Sequence, residues 1–140
     1  MRLVLDTNVL LTAIMSPSST CAQILSLWRD RRIAVITAAE QIEEIARVTR
    51  YPKIRIRLLP SLAGRLVNRL RDVAILVEKL PALDLSPDPD DNYLLALAEV
   101  GQAQFLVTGD KQLLRLKRHK STRIITPGAL IELLKGQGGN

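Results

Sequence analysis

The sequence is poor in the residues that build disulfides, zinc sites and histidine-based active sites. It has one cysteine and one histidine in 140 residues. A single cysteine allows neither an internal disulfide nor a cysteine-based metal site, so Cys21 is predicted to be a core residue rather than a nucleophile. His119 lies in a basic segment and is predicted to be exposed in a loop. Zinc chemistry and acid–base catalysis by histidine are therefore disfavoured.

Long apolar runs are also missing, although 47% of the residues are hydrophobic. The apolar runs are far shorter than the roughly 20 residues that cross a bilayer, and no secretory segment precedes the first predicted strand. One globular, cytoplasmic domain is expected, because a chain of this length buries one core but not two. The domain is predicted to span residues 1–135, with a flexible tail over residues 136–140.

Acidic residues are absent from two long segments that are rich in lysine and arginine. There are eight basic residues between Ile45 and Arg71, and Lys111 to Arg123 contains six more. Such segments suit a polyanion, since lysine and arginine contacts with phosphates supply most of the non-specific affinity for nucleic acid. Aromatic residues make up only 3% of the chain, so base stacking is poorly supplied. Nucleic-acid binding is therefore predicted to be dominated by phosphate contacts and to be strongly salt-dependent.

The most informative stretch is the apolar run Leu3-Val4-Leu5, which breaks at Asp6 and resumes at Val9. This pattern is typical of a buried parallel strand that ends on a carboxylate. Because ligands of open α/β sheets bind at the carboxyl ends of the strands, Asp6 is a candidate functional residue. The alternative is that Asp6 only caps a helix that begins near Asn8.

A second candidate acid lies on a predicted helix near the middle of the chain. Thr37 is predicted to open this helix in a capping box with Glu40. On a helical wheel Glu44 falls at the border of the apolar stripe, where it can line a cleft at the edge of the core. The alternative is a solvated glutamate on the flank of the helix.

Two further candidate acids lie in the second half of the chain. Asp88 is predicted to cap a helix that has Pro89 at its first position and ends at Gly101. Asp91 lies one turn into this helix and is the acid of this cluster predicted to face inward, whereas Asp90 can be explained by the helix dipole. Asp110 follows a short apolar strand, as Asp6 does.

Alternating short strands and helices predict a mostly parallel sheet of four to five strands that is covered on both faces. The strand ends then bring the acids to one edge of the sheet. Carboxylates gathered without counterions would repel one another and partly protonate, whereas one or two Mg²⁺ or Mn²⁺ ions would turn them into a hard-oxygen site. A metal pair about 3.5 to 4 Å apart is suited to the hydrolysis of a phosphodiester bond.

Four motifs in this order resemble those of the PIN domain, in particular the VapC-like PIN ribonucleases that are assigned as toxins of prokaryotic toxin–antitoxin systems. The motifs are Leu5-Asp6-Thr7-Asn8-Val9, the helix from Glu44 to Tyr51-Pro52-Lys53, the helix Asp88-Pro89-Asp90-Asp91 to Ala98, and Leu106-Val107-Thr108-Gly109-Asp110. The resemblance covers nearly the whole chain. It implies a three-layer α/β/α domain.

The resemblance also implies a function, which is Mg²⁺- or Mn²⁺-dependent cleavage of single-stranded RNA. By position, the catalytic and metal-binding acids are Asp6, Glu44, Asp91 and Asp110. Asn8, Thr108 and Asp88 are implied to be their polar neighbours. The residues expected to bind RNA are Arg50, Lys53, Lys111 and Arg115. A homodimer and an antitoxin partner are further expectations from the family.

Two competing interpretations use the same residues. Haloacid-dehalogenase-like phosphatases also place an aspartate after the first strand, but they need a second aspartate two residues later, where this chain has Asn8. A PIN-like module that binds RNA or a protein without cutting would keep the basic segments and could lose acids. The presence of all four acids favours the nuclease over this binding module.

Overall fold

The structure is a computed structural model that describes residues 1–83 and 88–138. The strands are β1 (Arg2–Leu5), β2 (Ala34–Ala38), β3 (Ile75–Val77), β4 (Phe105–Val107), β5 (Arg118–His119) and β6 (Thr122–Ile125). The helices are α1 (Thr7–Met15), α2 (Thr20–Arg29), α3 (Ala39–Val48), α4 (Pro52–Arg55), α5 (Pro60–Asp72), α6 (Pro89–Gly101), α7 (Lys111–Leu116) and α8 (Pro127–Gly138).

The strands form one mixed sheet in the order β3-β2-β1-β4-β6-β5. All neighbouring pairs are parallel except β5 and β6, which are antiparallel. The predicted α/β fold with a mostly parallel sheet is confirmed. The predicted number of four to five strands is too low, because β5 is a two-residue edge strand of polar sequence that has no apolar run to mark it.

Alternating side chains of the central strands pack on opposite faces of the sheet. Leu3 and Leu5 of β1 belong to the core on the face covered by α1, α2, α3, α5 and α8. Val4 belongs to the core on the other face, against α6 and α7. Side chains of a strand point alternately to its two faces, and helices cover both, so every residue of the run is apolar and buried. The domain therefore has three layers, α/β/α.

The register of the central strands fixes where the site residues lie. Leu5 at the end of β1 pairs with Val107 at the end of β4. Asp6 continues the pairing, since its N–H donates to the carbonyl of Val107 at 3.0 Å. Asp6 and Thr108 therefore leave the sheet side by side at its carboxyl edge.

The predicted capping box at the start of α3 is wrong. Thr37 is the fourth residue of β2 and is fully buried, and α3 begins at Ala39 without a side-chain cap. The Thr37 hydroxyl donates to Oε1 of Gln41 at 2.7 Å, and among the described residues its oxygen accepts no backbone N–H of the helix as a capping residue would. The strand runs further than predicted because residues 35 to 38 are all buried between the two helical layers.

Helix α6 ends at Gly101, but Gly101 does not adopt the left-handed conformation of the predicted glycine stop. The left-handed residue is Gln102, with φ of 54°, and no described glycine has positive φ. Gln102 donates to the carbonyl of Glu99 and Ala103 to that of Ala98, which are the two bonds of a Schellman motif. Gly101 is instead needed for packing, since an added Cβ would lie 2.7 Å from Cγ2 of Ile36 in β2.

Two other expectations about single residues differ from the structure. His119 lies in β5 rather than in an exposed loop, and its side chain is only 11% exposed because the β5–β6 hairpin folds it against Glu99 of α6. Cys21, predicted to be a core residue, is only partly buried and packs at the edge of the core that contains Trp28.

The predicted flexible tail stays a prediction. Helix α8 continues through residues 136–138, and residues 139–140 lie outside the described part of the chain. Among the described residues, no single helix is long and apolar enough to cross a membrane, whereas α1 and α2, bent by 94°, pass that test of length and composition only as a pair.

Candidate active site

Two hydrogen bonds, one from the end of β4 and one from α1, hold the Asp6 carboxylate at the end of β1. The Thr108 hydroxyl donates to Oδ2 of Asp6 at 2.7 Å, and the N–H of Asn8 donates to Oδ1 at 3.3 Å. Asp6 is the N-cap of α1, so the capping role and the cleft role fall on one residue. Thr108 is buried, whereas the side chain of Asn8 is exposed at the rim.

Glu44 is held by two hydroxyl groups that come from different helices. The hydroxyl of Thr7, at the start of α1, donates to Oε1 of Glu44. The phenol of Tyr93 in α6 donates to the same oxygen at 3.0 Å. Glu44 is therefore fixed at the border of the core and is not a solvated side chain on a helix flank.

Gln41 fixes α3 to the end of β1 from inside the core. Its Nε2 donates to the carbonyl of Leu5 at 2.7 Å, and its Oε1 accepts from Thr37. The side chain is fully buried, so both polar ends need these partners. Because Leu5 precedes Asp6 and Gln41 precedes Glu44 by one helical turn, this pair sets the spacing between the two acids.

The remaining acids approach from the other layer. Asp91 is only 5% exposed near the start of α6. The carbonyl of Asp88 accepts from the N–H groups of Asp91 and Asn92, which places Asp88 where an N-cap residue lies. Asp110 caps α7, accepts from the N–H of Gln112 at 2.7 Å and donates its own N–H to the Thr108 hydroxyl at 3.0 Å. The side chain of Asp90 lies outside the described part of the structure.

These acids line one cavity of about 160 Å³ at the carboxyl edge of the sheet. Its five carboxylates come from Asp6, Glu44, Asp88, Asp91 and Asp110. The other lining residues are polar or apolar and include no lysine, arginine or histidine in the described part of the chain: Thr7, Asn8, Leu11, Val48, Tyr93 and Leu94. The structure thus brings together all four predicted metal-binding acids, with Asp88 and Asn8 beside them.

The electrostatics of the cavity disfavour a full set of charged carboxylates. Burial raises the pKa of the Asp6 carboxyl above its ordinary value of 3.8, and the negative charges of Glu44 and Asp110 raise it further. The hydrogen bonds from Thr108 and Asn8 oppose this rise. Burial likewise raises the pKa of the Tyr93 phenol, which therefore keeps its proton for Glu44 at neutral pH.

The donor set fits a hard divalent cation. Mg²⁺ and Mn²⁺ prefer carboxylate, hydroxyl and amide oxygens, and a cation would offset the negative charge of the carboxylates that line the cavity. Within the described residues, no three acidic, cysteine or histidine side chains are arranged closely enough to hold a metal ion as they stand. The residues that would hold one are Asp6, Glu44, Asp91 and Asp110, which would need to draw together around it.

Tyr93 and Thr7 are the site residues that the sequence pattern did not single out for a role. Tyr93 follows Asp91 by two positions, and such a pair does not share a helix face, so helical periodicity gives no reason to group them. Thr7 is part of the quoted Asp6 motif, but its partner Glu44 is 37 residues away. Only the tertiary structure relates the two.

The four basic residues expected to bind RNA are all exposed, and none of them lines the acidic cavity. Lys111 directly follows Asp110 and begins α7, with Arg115 one turn later. Arg50 follows α3, and Lys53 lies in α4. They therefore lie outside the cavity, and their role in RNA binding stays a prediction.

An α/β/α domain with clustered acids at the carboxyl edge of a parallel sheet is the kind of scaffold on which metal-dependent hydrolases are built. The family model described as PIN domain matches residues 2–112 of this chain. The chain therefore belongs to the PIN domain family, whose members are generally nucleases and usually use divalent metal ions.

Two known proteins are similar to the chain. An uncharacterized protein of Methanocaldococcus jannaschii is 26% identical over 117 residues, covering 83% of this chain and 75% of that protein. A solved structure, VapBC2 from Rickettsia felis bound to a DNA fragment from their promoter, superposes with a TM-score of 0.58 at 14% identity. The match covers 90% of this chain and 98% of that one, which confirms the fold.

Proposed function

We propose that this protein is a Mg²⁺- or Mn²⁺-dependent endoribonuclease that hydrolyses phosphodiester bonds of single-stranded RNA. The observation that carries the proposal is the convergence of five carboxylates from four parts of the fold on one cavity. Asp6, Glu44, Asp91 and Asp110 are the proposed metal ligands. Membership of the PIN domain family supports the nuclease class.

One or two divalent ions bound there would supply an activated water and would stabilise the leaving oxygen. The protein's own residues supply the arrangement. Thr108 orients Asp6, while Thr7 and Tyr93 orient Glu44, so the carboxylates at the end of β1 and in α3 keep fixed directions toward the cavity. The apolar side chains of Leu11, Val48 and Leu94 line the cavity with these acids and lower its polarity, which strengthens the interaction of charges inside it.

RNA is proposed as the substrate because exposed basic residues lie on or directly after the helices that carry two of the cavity's acids, Glu44 and Asp110. The net charge is +6, although the cavity itself is acidic, so the excess cations lie elsewhere on the surface. Lys111 and Arg115 lie on the helix that Asp110 caps, and Arg50 and Lys53 lie beyond the end of α3. Such cations hold the sugar–phosphate backbone without reading its sequence.

A role as the toxin of a toxin–antitoxin pair is part of the proposal and is supported by the structural similarity to VapBC2 of Rickettsia felis. A homodimer is a further proposal. For an antitoxin, the chain offers a groove of about 520 Å³ between α1, α2 and α5. Its lining combines apolar side chains with three arginines and one acid, which suits an acidic amphipathic segment: Ile14, Leu25, Leu62 and Leu66 are apolar, the arginines are Arg29, Arg65 and Arg69, and the acid is Asp72.

The test of the nuclease is cleavage of end-labelled single-stranded RNA by the purified chain in Mg²⁺, in Mn²⁺ and in EDTA. Asp6→Asn keeps the size of the side chain but removes the charge. Asp30→Asn is the matched control, since Asp30 is an exposed residue at the end of α2, away from the cavity. Cleavage is expected from the wild type and from Asp30→Asn in either metal, and not in EDTA or from Asp6→Asn.

Two results would contradict the proposal in different ways. Cleavage that persists in Asp6→Asn would place the activity outside the acidic cavity. Tight RNA binding without cleavage in any metal would favour the alternative, a catalytically inactive PIN-like module that binds RNA or protein.

A further inference from the structure

Apart from the acidic cavity and the groove between α1, α2 and α5, a third depression in the surface contains arginines from three separate parts of the chain. It has a volume of about 330 Å³ and lies between α3, α4 and α5. Arg50 follows α3, Arg55 is the last residue of α4, and Arg71 lies near the end of α5. We call this depression the arginine groove. Residues from the acid-free segment between Ile45 and Arg71 come together in this groove.

The arginines of the groove have no carboxylate partner among the described residues. The ion pairs of the described chain lie elsewhere and involve Glu99 and Glu132. All three arginine side chains are exposed. The groove also contains Asn68, whose amide adds a neutral hydrogen-bond donor, whereas the Thr49 hydroxyl is already donated to the carbonyl of Ile45 at 2.7 Å.

Gly64 is the second observation that points to a ligand. It lies in the interior of α5 and lines the arginine groove, although glycine is a poor helix former. A Cβ at this position would meet nothing within 4 Å, and the residue does not have positive φ. Neither packing nor backbone conformation requires glycine here, in contrast to Gly101. Close approach of a ligand to the helix backbone is a remaining physical reason for it.

The arginine groove and the acidic cavity are joined by one helix. Glu44 and Val48 of α3 line the cavity, whereas Ala46 and Thr49 line the groove. Thr49 follows Glu44 by five residues, which is roughly 7 Å along a helix axis. Thr49 is also about 140° around the helix from Glu44, so the cavity and the groove open on different sides of α3, and a strand in the cavity would reach the groove across the exposed face of that helix.

We propose that the arginine groove binds the sugar–phosphate backbone of the RNA strand on one side of the phosphate that is cut. The inference rests on the proposed function, because it assigns the groove to the same substrate. Guanidinium groups match phosphate oxygens in geometry and stay charged, so three of them along a groove suit successive phosphates. The groove would hold the strand irrespective of its sequence and would act on substrate affinity, not on the chemical step.

The test measures RNA binding by fluorescence anisotropy over a series of salt concentrations, in the Asp6→Asn background so that the RNA stays intact. Arg50→Ala, Arg55→Ala and Arg71→Ala are each expected to weaken binding of unrelated single-stranded sequences by similar factors. Each is also expected to reduce the slope of log affinity against log salt by about 0.7. Arg32→Ala is the matched control, because Arg32 is exposed before β2 and lines neither the arginine groove nor the acidic cavity.

Substitutions of Gly64 test the same groove without removing an arginine. Gly64→Gln and Gly64→Glu have side chains of almost equal size, and only the second adds a negative charge. Gly64→Glu is expected to weaken RNA binding at least about tenfold, because like charges placed together are strongly unfavourable. Gly64→Gln is expected to weaken it less. Gly64→Ala adds only a Cβ, so it is expected to weaken binding least of the three and to raise the urea midpoint.

The outcomes separate this inference from the proposed function. Because the readout is binding, it does not require that the wild type cleave RNA, so an inactive wild type with arginine-dependent binding would overturn the nuclease but keep the groove. Salt slopes that match the Arg32→Ala control in all three arginine variants would overturn the groove. Equal RNA affinities of Gly64→Glu and Gly64→Ala would also overturn the groove. This result includes the case in which the arginines bind a protein partner and not RNA.

Discussion

The hydroxyl of Thr108 donates to Oδ2 of Asp6 at 2.7 Å although the two residues are 102 positions apart. The same oxygen of Thr108 accepts the N–H of Asp110 at 3.0 Å. One hydroxyl therefore connects two acids that leave neighbouring strands. It orients Asp6 and fixes the turn that carries Asp110.

Thr108→Val tests this connection, since valine has almost the same shape without the hydroxyl. It is expected to lower the free energy of unfolding by about 1 to 3 kcal/mol, because a buried carboxylate loses a hydrogen bond. Urea unfolding measures the effect. Thr108→Ser, which keeps the hydroxyl, is expected to lose less. Equal losses in the two variants would show that the methyl group of Thr108, not its hydroxyl, matters.

Tyr93→Phe removes the phenol that donates to Glu44 and leaves the ring in place. Cleavage of RNA is expected to slow by roughly tenfold, about 1.4 kcal/mol in the barrier, because Glu44 is then held by Thr7 alone. The fall is expected in kcat rather than in KM, which a merely structural role would not predict. Single-turnover cleavage over a range of RNA concentrations measures it. A variant with unchanged kcat would remove Tyr93 from the site.

The raised pKa of Asp6 predicts how the stability of the metal-free protein depends on pH. Above 3.8, the ordinary value, the folded state keeps a proton on Asp6 that the unfolded state has lost. The contribution of Asp6 to stability therefore falls as the pH rises from 3.8 through its folded-state pKa and stays low above it. Asp6→Asn cannot titrate, so this decline is expected to be absent from the variant.

Urea unfolding in EDTA between about pH 4 and about pH 7 compares the two proteins. The difference in stability, wild type minus variant, is expected to decrease with pH. A difference that stays constant or increases would contradict burial and acidic neighbours as the causes of the shift.

The two glycines of helices α5 and α6 are expected to respond in opposite directions to the same substitution. Gly64→Ala is expected to raise the free energy of unfolding by up to about 1 kcal/mol, since alanine is the better helix former and nothing contacts its Cβ. Gly101→Ala is expected to lower it by about 1 to 3 kcal/mol, since its Cβ would press on buried Ile36. Adding Ile36→Val, which removes a methyl group, is expected to recover part of this loss. Urea unfolding of the single and double variants measures whether each substitution raises or lowers the free energy of unfolding.

Much of the fold could be predicted because local patterns determine it. The run Leu3-Val4-Leu5 is apolar throughout since both faces of β1 are covered, and the break at Asp6 marks the sheet edge. What the sequence did not predict depends on tertiary contacts. The partial burial of His119 follows from a hairpin that folds it onto Glu99, and the hydroxyl of Thr37 finds its partner in the side chain of Gln41.

The candidate site divides in the same way. Asp6 and Asp110 could be placed because each follows an apolar strand, and parallel strands end at one edge. The roles of Tyr93, Thr7 and Gln41 could not, because each depends on a partner in another element. Hydrogen-bonding residues that orient an acid have no periodicity of their own, so they become visible only when the layers are assembled.

The central claim is that the acids of the cavity hold a divalent cation, and calorimetric titration of Mn²⁺ into the RNA-free protein tests it most directly. We predict saturable binding to the wild type and to Asp30→Asn, and affinity at least roughly tenfold lower in Asp6→Asn and in Asp110→Asn. No binding of Mn²⁺ to the folded wild type, or equal affinity in all four proteins, would contradict the account.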